Sequence, residues 1–383
     1  MHIVADENIP FVAQAFANLG TIQTVPGRAL NAEHVRQADL LLVRSVTRVD
    51  AALLRNSRVR FVGTATIGED HVDTAWLRQQ GIAFASAPGC NAESAAEYVI
   101  SALITLAETQ DFDLSSKTIG IIGCGNVGGR VRAKCAALGM TCLIYDPPRQ
   151  QRGVADDYAA WRDLLAADIV TLHVPLVKTG EHPTLRLANE AFFQALQPGA
   201  IFINTARGAV VDEIALAARL ARTPLWAVLD VWHNEPLISQ ALLRATALGT
   251  AHIAGYSQDG KAGGLNKIYQ AACHFAGQTP VWDMEQVLPP PAISCLRLST
   301  RVTPSEAVAK CVRVCYDLRA DDAALRRSAQ ATDSGAYFDR LRKHYPPRRE
   351  FRHLRVELDG DVPALRTRLA GLGFSVASAP ARI

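Results

Sequence analysis

Thr118-Ile119-Gly120-Ile121-Ile122-Gly123-Cys124-Gly125-Asn126-Val127-Gly128 is an apolar run that passes straight into three glycines spaced GxGxxG, with a helix-forming stretch behind them. Each glycine has its own physical task. The first permits a tight turn, the second lets the backbone approach a pyrophosphate, and the third lets helix and strand pack closely. The phosphates then face a helix N-terminus, whose free N–H groups and dipole favour an anion. The spacing alone is weak evidence. A strand before it, a helix after it and an acidic residue closing the next strand make it specific. That residue is Asp146, directly after Thr141-Cys142-Leu143-Ile144-Tyr145. A carboxylate there accepts from ribose hydroxyls and repels the extra phosphate of NADP, so NAD is the expected cofactor. The alternative for Asp146 is a plain turn cap before Pro147-Pro148.

Further strand-like runs flank this unit. Ile169-Val170-Thr171-Leu172, Ala200-Ile201-Phe202-Ile203 and Ala227-Val228-Leu229 follow at helix-sized intervals. Before it, Leu40-Leu41-Leu42-Val43, Arg60-Phe61-Val62-Gly63 and Gly81-Ile82-Ala83-Phe84-Ala85 repeat the pattern, and the chain starts with a short strand entering an acidic loop. Strands separated by helix-length segments argue for parallel βαβ units and an α/β fold with two doubly wound sheets. An amphipathic helix is expected over 92–109 as a connector, and one over 263–276 that returns the chain to the first domain. Leu288-Pro289-Pro290-Pro291-Ala292 reads as a linker, since proline lacks a backbone donor and favours extended geometry. Beyond it, helices near 305–316, 337–344 and 362–369 and strands near 354–358 and 374–376 suffice for a small α+β domain. The expected division is 1–92 plus 256–286, 93–255, and 287–383.

A chain of 383 residues with 49% hydrophobic and 20% charged side chains belongs with multidomain globular proteins. A formal charge of +3 is too small to argue for nucleic acid, although residues from Val287 onward carry 17 Lys and Arg against 10 Asp and Glu. The eight cysteines lack paired CxxC spacing, so reduced buried thiols are expected and no metal site. No signal peptide and no membrane-length apolar run is evident, which makes the cytoplasm the expected address and a membrane partner unexpected.

Three short motifs downstream of the glycine loop carry the chemistry: Asn204-Thr205-Ala206-Arg207-Gly208, Asp230-Val231-Trp232-His233-Asn234-Glu235-Pro236 and His252-Ile253-Ala254-Gly255. Oxidising a 2-hydroxy acid needs a cation for the carboxylate, a base for the hydroxyl proton and a group that tunes the base. Arg207 offers a planar fork for bidentate contact. His252 offers an imidazole, whose ordinary pKa of about 6.5 suits proton exchange near neutrality. Glu235 is the carboxylate that orients the ring and favours its charged form. Each residue alone has an ordinary structural alternative; their occurrence together at strand ends is the signal. His71, His173 and His233 are rival bases. Ser45 and Thr66 follow buried strands and offer hydroxyls where open α/β sheets bind ligands, with turn chemistry as the alternative.

These motifs resemble the D-isomer-specific 2-hydroxyacid dehydrogenases. The likeness is strengthened by Val43-Arg44-Ser45-Val46-Thr47, Gly63-Thr64-Ala65-Thr66-Ile67-Gly68, Ala87-Pro88-Gly89-Cys90-Asn91-Ala92, His252-Ile253-Ala254-Gly255-Tyr256-Ser257 and the tail strings Tyr316-Asp317-Leu318-Arg319 and Phe338-Asp339-Arg340-Leu341-Arg342-Lys343. The resemblance implies two Rossmann-like domains, a C-terminal dimerisation domain, a homodimer and a small phosphorylated hydroxy acid as substrate. It carries catalysis onto Arg207, Glu235 and His252, and substrate contacts onto Ser45, Thr66 and Tyr256. Cofactor contacts fall on Gly123, Gly125, Asn126, Val127, Gly128, Asp146, Val174, Thr205, Ala206, Arg207, Asp230 and Gly255. Val174 departs from the family's threonine. Arg44 and the pair Arg348-Arg349 are candidates for the substrate phosphate. Two alternatives stay open: a dehydrogenase for another 2-hydroxy acid such as 3-phosphoglycerate, and a non-enzymatic NAD-sensing partner protein.

Overall fold

The structure, a computed structural model, describes residues 1–299 and 301–378; position 300 and positions 379–383, all within the expected C-terminal segment, lie outside the described residues. The chain forms two compact units, Met1–Asn91 with Ser257–Pro289, and Ala92–Tyr256 with Pro290–Ile383.

In the first unit β1 (His2–Asp6), β2 (Thr21–Val25), β3 (Leu40–Val43), β4 (Phe61–Thr64) and β5 (Ala83–Ala85) make a parallel sheet of order β2-β1-β3-β4-β5. β3 and β4 are buried at every residue, as expected of strands covered on both faces. The helix Gln258–Phe275 packs on this sheet and begins five residues before the position expected from sequence. Glycines at 260, 263 and 264 argue against an early start, but Ser257 caps the helix by accepting from the Gly260 N–H at 2.8 Å.

The second unit holds β6 (Thr118–Ile122), β7 (Thr141–Tyr145), β8 (Ile169–Leu172), β9 (Ile201–Asn204), β10 (Trp226–Leu229) and β11 (Leu248–Gly249), in the parallel order β11-β10-β9-β8-β6-β7. An isolated bridge from Ile144 to Tyr158 extends the sheet beyond β7. The order reverses between β6 and β8, so the carboxyl ends there open into the crevice where such sheets bind ligands. A separate parallel sheet, β12 (Cys295–Leu298), β13 (Arg355–Leu358) and β14 (Ser375–Ser378), forms in the C-terminal segment. That segment shares one continuous apolar cluster with the helix Ala92–Gln110 and with β6.

This sharing corrects one expectation. The helix Ala92–Gln110 is not amphipathic; residues 94–106 are all buried. A helix buried on all sides belongs inside a core, and its buried polar groups find partners: the Thr105 hydroxyl donates to the Ser101 carbonyl of its own helix, and others reach the C-terminal segment. The Ser101 hydroxyl donates to the Tyr316 carbonyl at 2.9 Å, and Ser94 donates to Glu350 at 3.1 Å. Glu97, fully buried, accepts from the Arg348 guanidinium at 3.1 Å and the Phe351 N–H at 2.7 Å. The cysteines also differ from expectation: all eight are free thiols, but Cys295 is exposed and Cys90, Cys142 and Cys315 are only partly covered.

Burial pushes the Glu97 carboxyl up to about 8 against the pull of Arg348. Because the folded value lies above the ordinary one, the fold holds this proton more tightly than the unfolded chain does. The associated stability is present at low pH and is lost as pH rises from about 4.5 towards about 8. Urea unfolding followed across that range should show a shallower decline for Glu97→Gln than for the parent protein.

Candidate active site

The cofactor end starts at the carboxyl end of β6. Gly123 sits at φ 87° in the turn, and a Cβ on Gly128 would fall 1.9 Å from the Gly123 carbonyl oxygen, so both positions require glycine. Gly125 has open space around its missing side chain, and the helix Asn126–Ala137 begins directly after it. An open loop, a twelve-residue helix N-terminus and a carboxylate at the end of β7 fit NAD chemically. Asp146 also does what the turn-cap alternative describes. Its Oδ1 accepts from the Arg149 N–H at 3.0 Å, capping the helix Pro147–Gln151, and its Oδ2 accepts from the Cys124 N–H at 2.8 Å. A carboxylate offers about four acceptor positions, so these two bonds do not exhaust it. Val174 lies against the glycine loop, where a Cβ on Gly123 would come within 2.9 Å of its Cγ1. Thr205 contacts His173 Nδ1 at 3.4 Å through its hydroxyl.

Arg207, Glu235 and His252 stand in loops at the carboxyl ends of β9, β10 and β11, all in one unit. Asn204, fully buried, shapes the first loop: its Oδ1 accepts from the Ala206 N–H and its Nδ2 donates to the Arg207 carbonyl, both at 3.0 Å. The guanidinium of Arg207 donates to the Ala206 carbonyl at 2.7 Å. Gly208 then lets the second loop approach, since a Cβ there would lie 2.0 Å from the Trp232 carbonyl. In that loop Glu235 Oε1 accepts from the Trp232 N–H at 2.8 Å, while Oε2 lies 2.7 Å from His252 Nδ1. The carboxylate thus fixes the ring through Nδ1.

His252 itself has φ 56°, an uncommon conformation for a residue with a side chain. Asp230 holds it there. The Asp230 carbonyl accepts from the His252 N–H at 2.7 Å. Its carboxylate accepts from the Ile253 N–H at 2.7 Å, the Ala254 N–H at 3.0 Å and the Thr250 hydroxyl at 2.6 Å. Tyr98 closes the chain with a 2.8 Å hydrogen bond to Thr250. The Asp230 carboxylate, expected at the cofactor, is buried and engaged by its own loop.

The carboxylate partner distinguishes His252 from the other candidate histidines. Burial pushes the Glu235 carboxyl up, but His252 by charge and hydrogen bond, the Trp232 N–H and the Arg342 cation outweigh it and hold Glu235 below the usual carboxylate range. Burial drives His173 down to about 3, so it cannot hold the proton that a base must carry after the reaction. The His233 side chain is exposed, and its backbone N–H donates to Glu213 at 2.8 Å. His71 lies in the other unit, where its Nε2 is 3.0 Å from the Thr64 hydroxyl.

The remaining expected residues are placed as follows. Ser45 is exposed just after β3. Thr66 follows β4, with its hydroxyl donating to the Gly68 carbonyl at 3.1 Å and lying 2.8 Å from Thr64, so turn chemistry is present there. Gly255 and Tyr256 are half-buried beyond the His252 loop. The pair Arg348-Arg349 does not form an open basic cluster. Arg348 is buried against Glu97 and stacks 4.0 Å from the Tyr316 ring centre, and Arg349 Nη2 lies 2.9 Å from His353 Nε2. Arg44 donates to the Asn8 carbonyl at 3.4 Å. Among the described residues no group of three or more His, Cys, Asp or Glu side chains is arranged to hold a metal ion, and no helix is long and apolar enough to cross a membrane.

Residues 91–254 match the family described as D-isomer specific 2-hydroxyacid dehydrogenase, NAD binding domain, and residues 287–373 match a domain of unknown function, DUF3410. The chain is 49% identical over 379 residues to the erythronate-4-phosphate dehydrogenase of Azotobacter vinelandii, covering 97% of this chain and 99% of that one. Among solved structures it is similar to the D-lactate dehydrogenase of Aquifex aeolicus complexed with NAD and lactic acid (TM-score 0.58, 24% identity, 75% of this chain, 97% of that one). It is also similar to the NAD-bound 3-phosphoglycerate dehydrogenase of Entamoeba histolytica (TM-score 0.62, 22% identity, 73% and 96%). The protein belongs to the D-isomer-specific 2-hydroxyacid dehydrogenase family, in the branch of its erythronate-4-phosphate dehydrogenase relatives, and it binds NAD.

The double use of Asp146 has a measurable consequence. Asp146→Ala should weaken NAD binding in a direct titration and also lower unfolding stability by about 0.5–2 kcal/mol, the usual loss for a missing helix cap. Unchanged stability would mean that the cap contributes nothing.

Proposed function

We propose that the protein oxidises 4-phospho-D-erythronate at C2 to (R)-3-hydroxy-2-oxo-4-phosphobutanoate, a step in pyridoxal 5'-phosphate biosynthesis. The carrying observation is the 2.7 Å contact between His252 and Glu235, set at the strand ends beside Arg207, in a chain matched end to end by its erythronate-4-phosphate dehydrogenase relatives. NAD, when bound, accepts the hydride that leaves C2. Arg207 pairs with the substrate carboxylate through its fork and draws charge from the carbonyl that forms. His252 Nε2 takes the hydroxyl proton as the C2–O bond becomes double. Glu235 stabilises the resulting imidazolium and keeps the ring from turning. Thr205, Ala206, Gly255 and Asp146 are assigned to the cofactor, and Ser45, Thr66 and Tyr256 to the substrate, on the family pattern. The reading extends to a homodimer formed through the segment after residue 287, and to action in the cytoplasm.

His252→Ala should lower kcat by about 10²–10⁴-fold, the usual range for a general base, with NAD affinity nearly unchanged. Glu235→Gln removes the negative charge that stabilises the imidazolium formed in the reaction. The acid limb of the kcat/KM profile for hydroxy-acid oxidation then moves to lower pH, while the maximum rate falls. Near-normal turnover by His252→Ala at neutral pH would remove it as the base.

The direct test follows reduced nicotinamide formation with 4-phospho-D-erythronate, D-erythronate and 3-phosphoglycerate. A 2-oxo acid acceptor is run in parallel, in case bound cofactor does not exchange. Preference for 3-phosphoglycerate would keep the mechanism and change the substrate. Absence of turnover with all of them, from folded protein that binds NAD, would favour an NAD sensor.

A further inference from the structure

The segment after residue 290 does more than cover a helix: it brings a cation to the catalytic loops. The helix Ser334–Lys343 ends in Arg340, Arg342 and Lys343. Basic side chains in a last turn are ordinarily a solvated complement to the helix dipole, and Arg340, which rests 5.2 Å from the Tyr337 ring centre, fits that description. Arg342 does not. It is half-buried, its guanidinium carbon lies 5.9 Å from the Tyr256 ring centre, and it donates to the Tyr256 side chain. Its Nε is buried and has no hydrogen-bond partner among the described residues. A buried guanidinium N–H without a partner loses hydration for no return, which is the mark of a donor kept for a ligand.

The helix is anchored where it can serve that purpose. Phe338 is fully buried in the cluster that contains Trp232 and Ile238, the residues on either side of the Glu235 loop. At the helix start, a Cβ on Gly335 would come 3.0 Å from Leu237 and 3.5 Å from Pro236. Beyond its end, Tyr345 meets Tyr256 edge-on with ring centres 5.7 Å apart. Tyr256 is therefore held by two residues of the C-terminal segment, and Arg342 is close enough to Glu235 to help hold that carboxyl low. The D-lactate dehydrogenase fold is matched almost completely by three quarters of this chain, so a segment of this kind is additional to the shared fold.

A substrate with a carboxylate at one end and a phosphate at the other needs two cationic subsites. Arg207 supplies one. We propose that Arg342 and the Tyr256 hydroxyl bind the terminal phosphate of the substrate, so that the C-terminal segment supplies the specificity-determining cation of the site. This rests on the phosphorylated hydroxy acid proposed above. Arg342 donates to the Tyr256 side chain, which sets the two groups side by side, and the Arg342 Nε supplies a further donor. Arg348 also has a buried Nε without a hydrogen-bond partner among the described residues, but it is held against Glu97 and the Tyr316 ring rather than Tyr256, and Arg349 lies against His353.

The test compares the parent protein with Arg342→Met, which keeps the aliphatic stem beside Tyr256, and with Arg342→Lys, which keeps the charge without the fork. Inorganic phosphate binding is measured by calorimetry on the NAD-loaded full chain, and steady-state kinetics are run with 4-phospho-D-erythronate and D-erythronate. Arg342→Met should weaken phosphate binding and raise KM for the phosphorylated acid by about 10- to 100-fold, the size of a lost charge-assisted hydrogen bond. KM for D-erythronate should stay within about 3-fold, since it makes no such bond, and Arg342→Lys should recover part of the loss. Equal weakening of both acids, a displaced pH profile with phosphate binding unchanged, or a parent protein that binds no phosphate would each overturn the proposal. The two readings separate cleanly. Phosphate binding that is lost in Arg342→Met without any oxidation of 4-phospho-D-erythronate keeps the anion site and removes the substrate. Oxidation of that acid with unaltered KM in Arg342→Met keeps the substrate and removes Arg342.

Discussion

Asp230 is a buried carboxylate whose two oxygens meet the Ile253 and Ala254 N–H groups and the Thr250 hydroxyl, while its backbone carbonyl takes the His252 N–H. Burial raises its pKa, and the His252 charge and then the hydrogen bonds from Thr250, Ala254 and Ile253 oppose that rise. The consequence reaches the chemistry directly. His252 adopts a left-handed conformation that a free loop would rarely visit, and it keeps it because four hydrogen bonds to one residue leave the chain no cheaper path. Only with the backbone so held does the imidazole present Nδ1 to Glu235 at hydrogen-bonding distance.

That arrangement depends in turn on the helix Ala92–Gln110. Tyr98 on this helix bonds to Thr250, which bonds to Asp230, so the His252 loop is tied to a fully buried element. The helix is buried because the C-terminal segment covers it, and the segment is retained by polar as well as apolar contacts. Arg348 is the clearest of these: it meets Glu97 on the helix and donates at 3.4 Å to the Ala254 carbonyl beside the His252 loop. A buried contact of this kind is weak evidence for stability, since burial pushes the Glu97 carboxyl up to about 8 and desolvation offsets much of the attraction, but it specifies one way of docking the segment. The C-terminal segment is thus part of the core of the second unit and also reaches its loops through Tyr345 and Arg342.

Much of the fold was legible because parallel strands covered on both faces read as unbroken apolar runs; β3, β4, β6, β8, β9 and β10 were found this way. β2 and β12 were missed because both are largely exposed and lack such a run, and β11 because it is two residues long. The helix Leu318–Arg326 was missed because its charged residues hide a narrow apolar side, of which only Leu318 and Leu325 are buried. His252, Glu235 and Arg207 were legible as chemistry, since their residue types answer the needs of one reaction. The hold of Asp230 on the His252 loop was not, because backbone N–H donors have no sequence signature.

By itself the sequence determined the α/β class, the glycine loop with its anion-binding helix, and the three side chains suited to hydride-linked proton transfer. These follow from local rules: strand periodicity, the need for a missing Cβ in a tight turn, and the intrinsic acidity of side chains. Tertiary structure alone decided which histidine meets a carboxylate, which arginines are occupied, and how the helix over 92–110 is used. Those outcomes depend on burial and on partners far away in the chain. Desolvation removes His173 from proton exchange, Glu97 engages Arg348 across about 250 residues of sequence, and the C-terminal segment turns an expected connector into a core helix.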